Sequence, residues 1–176
     1  MAEKSHMNDI SFRLMTLIHD NPLRRVLDNP TNTLQAAGIR PSQQVLEVGC
    51  GPGFFTIPAA RIVGDGGCVH AIDLHPLAVR MVKEKLRKAN LTNVKVAIAD
   101  AAKTGLPAES IDVAFLFGVA HSLPLDTVLP ELYRVLKHGG ILAVQTFSGR
   151  SLKKVANGGL FTSTEKDGRV LKFQRK

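Results

Sequence analysis

Cysteine is scarce in this chain. Cys50 and Cys68 are the only two among 176 residues, and neither stands at a spacing from a second Cys or a His that would suit zinc or a redox dithiol. A disulfide scaffold and thiolate metal chemistry are therefore excluded, and no metal is expected. Long apolar runs are missing too. No stretch approaches the ~20 residues that cross a bilayer, and the opening MAEKSHMNDI has no apolar block of the kind a signal peptide needs. The expectation is a cytoplasmic protein without a membrane span. Internal repeats and low-complexity linkers are also absent, which leaves no sign of a repeat array.

What is present is ordinary globular composition, with 44% hydrophobic and 22% charged residues, in a length that suits one core. The Ser5-His6-Met7 stretch reads as a cloning remnant, so residues 1–6 carry no structural weight. Residues 7–40 read as an N-terminal helical cap and residues 41–176 as a single domain. The net charge of +8 is uneven: from Arg150 onward there are eight Lys or Arg against two acids. Such a basic end suits either a polyanion such as RNA, or an anionic membrane surface, or a solvated face that keeps a small protein soluble. The solvated face is the preferred reading.

Five apolar, β-branched runs alternate with helical patterns: Gln44 to Val48, Cys68 to Ile72, Val94 to Ala99, Ile111 to Phe117 and Ile141 to Phe147. Alternation of this kind means βαβ units, and continuous apolar strands such as VAFLF mean burial on both faces. Pro76 to Asn90 puts Ala78, Met81, Val82, Leu86 and Ala89 at helical spacing, with Arg80, Lys83, Arg87 and Lys88 facing away. Leu125, Val128, Leu129, Leu132, Val135 and Leu136 make a second stripe, which His138-Gly139-Gly140 is expected to stop. Pro130 costs that helix a hydrogen bond if it begins as early as Asp126. Gly149 to Asn157 reads as a short helix, and Asp167-Gly168 as a primed turn between two strands. Ile10 to Asp20 reads as a helix ahead of the sheet. The predicted fold is α/β: a Rossmann-like, mostly parallel sheet of about seven strands, helices on both faces, and a C-terminal antiparallel hairpin.

The most informative stretch is Val45 to Thr56, VLEVGCGPGFFT, a buried strand that breaks into three alternating glycines and then enters a helix. Gly49, Gly51 and Gly53 carry no Cβ to block close approach of a ligand, and helix N-termini favour anionic groups. The same turn can also serve only to pack a strand against a helix. Asp73 ends the next strand some twenty residues on, where a carboxylate can accept bonds from both hydroxyls of a ribose. Asp100 ends the third strand. Carboxyl ends of parallel strands line one crevice, so Glu47, Asp73 and Asp100 can converge there. A dinucleotide fingerprint would want a small residue where Phe54 stands, which disfavours a nicotinamide or flavin cofactor.

These residues resemble the class I S-adenosylmethionine-dependent methyltransferases, of the group that includes ubiquinone and menaquinone biosynthesis methyltransferases. The resemblance runs from about residue 40 to 147 through VLEVGCGPGFFT, AIDLHP, IADAAKTGLP, IDVAFLFGVAHSLP and LPELYRVLKHGGILAVQTF. It implies S-adenosylmethionine as cofactor and S-adenosylhomocysteine as product. By that resemblance Glu47, Gly49, Cys50, Gly51 and Gly53 surround the methionine part and Asp73 holds the ribose. Leu74 and His75 would flank the adenosine, and Asp100 with the Ala101 backbone would address the adenine. The backbone near Phe117 and Gly118 would face the amino-acid end.

Methyl transfer from a sulfonium is an in-line displacement, so the protein mainly aligns the acceptor and excludes water. A general base matters only if the acceptor must lose a proton, and His121, just after the fourth strand, is the candidate; the same histidine can equally be a loop residue with no chemical part. The loop GVAHSLP contains no Asn-Pro-Pro-Tyr-like segment, which disfavours adenine N6 methylation of nucleic acid, and two Cys do not suit an arsenic acceptor. A small-molecule acceptor is expected, with RNA recognition through the basic C-terminus, or binding of cofactor without transfer, as alternatives. Little chain remains after the fifth strand to build a cap, so closure falls to the N-terminal helix, the partner subunit of a homodimer, or the acceptor itself.

Overall fold

In a computed structural model, residues 29–145 and 149–176 are described. The expected cloning remnant, the helix expected at Ile10 to Asp20, most of the expected cap and the last residues expected in the fifth strand lie outside them. The chain runs α1 (Pro30–Ala36), β1 (Gln44–Val48), α2 (Thr56–Val63), β2 (Cys68–Asp73), α3 (Pro76–Lys88), β3 (Val94–Ile98), β4 (Ile111–Phe117), α4 (Leu125–Val135), β5 (Leu136–Gln145), α5 (Gly149–Asn157), β6 (Phe161–Asp167) and β7 (Val170–Arg175). The strands form one seven-stranded sheet in the order β3-β2-β1-β4-β5-β7-β6. The first five are mutually parallel, and β7 is antiparallel to both its neighbours.

Period-two alternation sorts side chains to two cores. On β4, Val113, Phe115 and Phe117 enter the core beneath α1, α2 and α3, while Ala114 and Leu116 enter the one beneath α4 and α5. Val45 and Leu46 divide the same way on β1. Central strands buried on both faces explain the unbroken apolar runs read in the sequence. β3 is different: as an edge strand it is only half covered, and Ile98 remains 57% exposed. Some helix ends are met by side chains. Asn29 caps α1 through Thr31 N–H at 3.0 Å, and the Asn93 amide donates to the Ala60 and Gly64 carbonyls at the end of α2, both at 2.8 Å.

The structure departs from the sequence reading in two places, the end of α4 and the hairpin turn. α4 ends at Val135 without help from His138-Gly139-Gly140, because Leu136 is already extended and starts β5. The glycines instead lie within β5 at a register break, where Ile111 pairs with Leu136 but Val113 pairs with Ile141, and Gly139 takes φ of 72°. Pro130 lies inside α4, so that helix gives up a hydrogen bond. In the hairpin Asp167 is the last strand residue, paired with Val170, and Gly168 alone has positive φ. The turn residues are therefore Gly168-Arg169, shifted by one, with glycine first as type II′ turns require.

The segment joining β3 to β4 has no helix and is tied down by charge. Glu131 on α4 accepts from the Thr104 backbone N–H (2.9 Å) and hydroxyl (2.7 Å), and pairs with Arg134 at 2.7 Å. The hydrogen bonds from Arg134 and Thr104 hold the Glu131 carboxyl down at about 2. Near the C-terminus, Arg175 donates to the Leu136 carbonyl, pairs with Glu109 at 3.0 Å and lies 4.5 Å over the Tyr133 ring.

Candidate active site

β1 delivers Glu47 to the carboxyl edge of the sheet and then turns. Gly49, Gly51 and Gly53 take φ of 75°, 49° and 86°, values that only glycine adopts without strain. Their surroundings differ. A Cβ on Gly49 would fall 2.8 Å from Val119 Cγ2, and one on Gly53 would fall 3.1 Å from Val82 Cγ2, but one on Gly51 would meet no atom within 4 Å. The outer glycines thus let the turn pack, and the middle one leaves space on the crevice side. Gly118 at the end of β4 repeats that pattern: φ of 72°, nothing within 4 Å, and its N–H donated to the Gln145 carbonyl at 3.0 Å.

Asp73 is clamped in place. Its Oδ2 accepts from Gly51 N–H at 2.9 Å and its Oδ1 from His75 N–H at 2.8 Å, so one carboxylate ties the glycine turn to the start of α3. Each oxygen keeps a further lone pair for another donor. Gly49 and Cys50 N–H both donate to the Ile72 carbonyl, at 2.8 and 3.1 Å, drawing the turn onto the end of β2.

Glu47 is 2% exposed, and among the described residues its hydrogen bond comes from the Thr56 hydroxyl at 2.6 Å. Burial, only partly offset by that bond and reinforced by the nearby Asp73 charge, raises its carboxyl to about 8. The acid is therefore mostly protonated near neutrality. Burial, with Glu47 and Asp73 close by, also pushes the Cys50 thiol far up, which makes it an inert wall of the turn.

The other residues read from the sequence differ in their surroundings. Leu74 is 39% exposed beside Asp73. His75 is buried, and its Nδ1 accepts from Leu77 N–H at 3.3 Å as the N-cap of α3. Asp100 lies past β3 rather than at its end; its carboxylate accepts from Ala102 N–H at 2.9 Å, and the Ala99 N–H donates to the Asp73 carbonyl at 3.1 Å. Ala101 is buried in the core beneath α4. The Phe117 ring packs into the other core, 5.0 Å from Phe55 and 4.7 Å from Phe115. His121 is exposed in the turn between β4 and α4. Thr56 and Val119 were not foreseen. A hydroxyl residue opening the helix after a glycine turn was the available sign for Thr56, whereas Val119 is set by a contact across the sheet that local pattern does not carry.

We expect Gly49→Ala to combine left-handed strain of roughly 1–2 kcal/mol with the collision against Val119. The melting temperature should fall by several degrees, and calorimetry should show weakened cofactor binding; an unchanged protein would mean that the turn relaxes freely.

A parallel sheet with one reversed strand, opening a glycine-and-carboxylate crevice at the carboxyl ends of β1, β2 and β4, defines a Rossmann-like domain. Its family is specific: the methyltransferase domain profile matches residues 39–173, and the chain belongs to the S-adenosylmethionine-dependent methyltransferases. It is 32% identical over 126 residues to the ubiquinone/menaquinone biosynthesis C-methyltransferase UbiE of Pectobacterium carotovorum, covering 70% of this chain and 50% of that protein. It is 35% identical over 104 residues to the aklanonic acid methyltransferase DauC of Streptomyces, covering 57% of this chain and 46% of that one. The chain thus spans about half the length of these curated relatives. Among solved structures, a SAM-dependent methyltransferase from Aquifex aeolicus superposes with a TM-score of 0.82 at 25% identity, covering 97% of this chain and all of that one.

Proposed function

We propose that this chain transfers a methyl group from S-adenosylmethionine to a small-molecule acceptor at the carboxyl edge of β1, β2 and β4. The observation that carries the reading is the Asp73 carboxylate, fixed at 2.9 Å on Gly51 N–H with lone pairs to spare, beside two glycines whose missing Cβ atoms leave the crevice open. In this reading Asp73 accepts the ribose hydroxyls. Leu74 and the α3 start at His75 flank the adenosine, and Asp100 with the Ala101 backbone addresses the adenine. The turn at Gly49, Cys50, Gly51 and Gly53 lies against the methionine part with Glu47, and the Phe117-Gly118 backbone faces its amino-acid end. When bound, the cofactor supplies an electrophilic methyl on a sulfonium; the chain's part is to orient the acceptor and exclude water.

The names of the relatives concern ubiquinone, menaquinone and aklanonic acid, which supports a small-molecule acceptor. The basic C-terminus supports a polyanion less well than its charge suggests, because Lys154, Lys172 and Arg175 are engaged by Asp126, Glu165 and Glu109. Among the described residues no helix is long and apolar enough to cross a membrane. We place the protein in the cytoplasm, with crevice closure completed by a second subunit or by the acceptor itself.

Calorimetric titration with S-adenosylmethionine and, separately, NADH tests the cofactor, and a mass-shift screen of acceptors tests transfer. Saturable binding of NADH in preference to the sulfonium nucleoside would overturn the reading. His121 lies exposed in the turn after β4, and in this reading it takes a proton from the acceptor. His121→Ala should lower turnover at least tenfold while cofactor affinity stays near wild type; full turnover would remove this side chain from the mechanism.

A further inference from the structure

Helix α3 bears an exposed basic flank that the transfer chemistry does not use. Arg80, Lys83 and Arg87 follow one another at intervals of three and four residues, so they form a row along one side of the helix. All three are exposed, and none has an ion-pair partner among the described residues. The row borders an open groove of about 400 Å³ that Pro76, Val79 and Glu84 complete. Helix α3 carries five Lys or Arg against the single acid Glu84.

Exposed apolar surface lies at the same edge of the sheet as the start of α3. α3 packs on β2 and the edge strand β3, where Val94 and Val96 turn toward the core beneath that helix. Ile98 shares their parity and therefore their face, but it lies beyond the cover and is 57% exposed. Pro76 begins the helix at the same carboxyl edge of the sheet, since Asp73 pairs with Ile98. A cationic row about 10 Å long, at 1.5 Å rise per residue, thus leads back toward exposed aliphatic surface at the rim where the crevice opens.

We infer that the α3 flank of Arg80, Lys83 and Arg87, with Ile98 at its rim end, docks the protein on an anionic membrane surface. Phosphate headgroups complement the row, and the aliphatic end suits the boundary below them. The lining offers no aromatic ring on which a nucleic-acid base could stack, which sets this face apart from a single-strand RNA groove. The buried side of α3, with Val82 and Leu86 in the core, stays in place, so the contact is peripheral. The surface lies outside the cofactor crevice, and the inference goes beyond the transfer reading.

The test is co-sedimentation of the full chain with vesicles of phosphatidylcholine, alone or with about a third phosphatidylglycerol. Binding should require the anionic lipid and weaken with salt. At about fivefold per basic residue, R80Q/K83Q/R87Q should lose on the order of a hundredfold in partitioning, with an unchanged thermal melt and unchanged S-adenosylmethionine affinity by calorimetry. Neutralising three distant exposed cations, as R150Q/K153Q/K166Q, should cost severalfold at most. I98S should weaken binding severalfold and leave its salt dependence intact. Equal losses in the two triple variants would reduce the effect to net charge and overturn the docking face. So would equal retention on neutral vesicles, or displacement from anionic vesicles by a short RNA. Failure to bind S-adenosylmethionine would instead count against the transfer reading and leave the vesicle result standing.

Discussion

Replacing Asp73 by alanine should lower S-adenosylmethionine affinity by two orders of magnitude or more. Two hydrogen bonds to an ionised acceptor are lost, each worth roughly 1.5–3 kcal/mol, and 1.4 kcal/mol is a tenfold change in affinity. A second effect adds to the first. Oδ2 holds Gly51 N–H and Oδ1 holds His75 N–H, so the variant also frees the turn that lines the crevice. Asp73→Asn separates the two contributions. Its amide keeps one acceptor oxygen, so part of the anchoring survives while charge-assisted bonding does not, and its affinity should fall between those of the alanine variant and wild type. Calorimetric titration of both variants checks this, and an Asp73→Ala protein that binds as tightly as wild type would move the ribose to another part of the fold.

Glu47→Gln should stabilise the free protein above neutrality and weaken cofactor binding. The sign follows from a carboxyl whose folded value, about 8, lies above its unfolded value near 4.5. Below 4.5 the group is protonated in both states and contributes no pH dependence. Between 4.5 and 8 the unfolded chain ionises while the folded one resists, so stability declines, by at most about 1.4 kcal/mol per pH unit from this group. Above 8 the decline ends. Glutamine keeps an acceptor for the Thr56 hydroxyl and has no charge to bury, so melting curves of the variant should be flatter across that window. At pH 8 it should melt higher by about 2–4 °C for each kcal/mol recovered. Cofactor affinity should drop tenfold or more, because a cationic ligand draws the proton off Glu47 and gains a carboxylate partner that glutamine cannot become. A variant that melts with the wild-type pH dependence would show that Glu47 is ionised in the free protein.

Much of this architecture was legible because the central strands are buried on both faces. β4 shows only one half-buried position in seven, and such a run stands out in sequence without any periodicity to decode. The glycine turn and Asp73 were legible because close backbone approach restricts the residue type. Other features were not. The bulge at Gly139 and the one-residue shift at Gly168 depend on which strand lies alongside, a relation between residues far apart in the chain. Asp100 was placed at a strand end because VAIAD runs on smoothly, but the edge position of β3 lets pairing stop at Ile98. The protonated state of Glu47 was invisible for a similar reason: the glutamate is plain in the motif, whereas its burial and the approach of Asp73 exist only once β1 and β2 are side by side.

The two bonds on Asp73 also bear on how association is driven. Since the carboxylate already occupies one rotamer in the free protein, docking a sugar there freezes little additional motion, and the entropic penalty that usually dilutes a polar contact is largely met in advance by folding. Rigidity at the tip of β2 thereby becomes a source of binding strength in its own right.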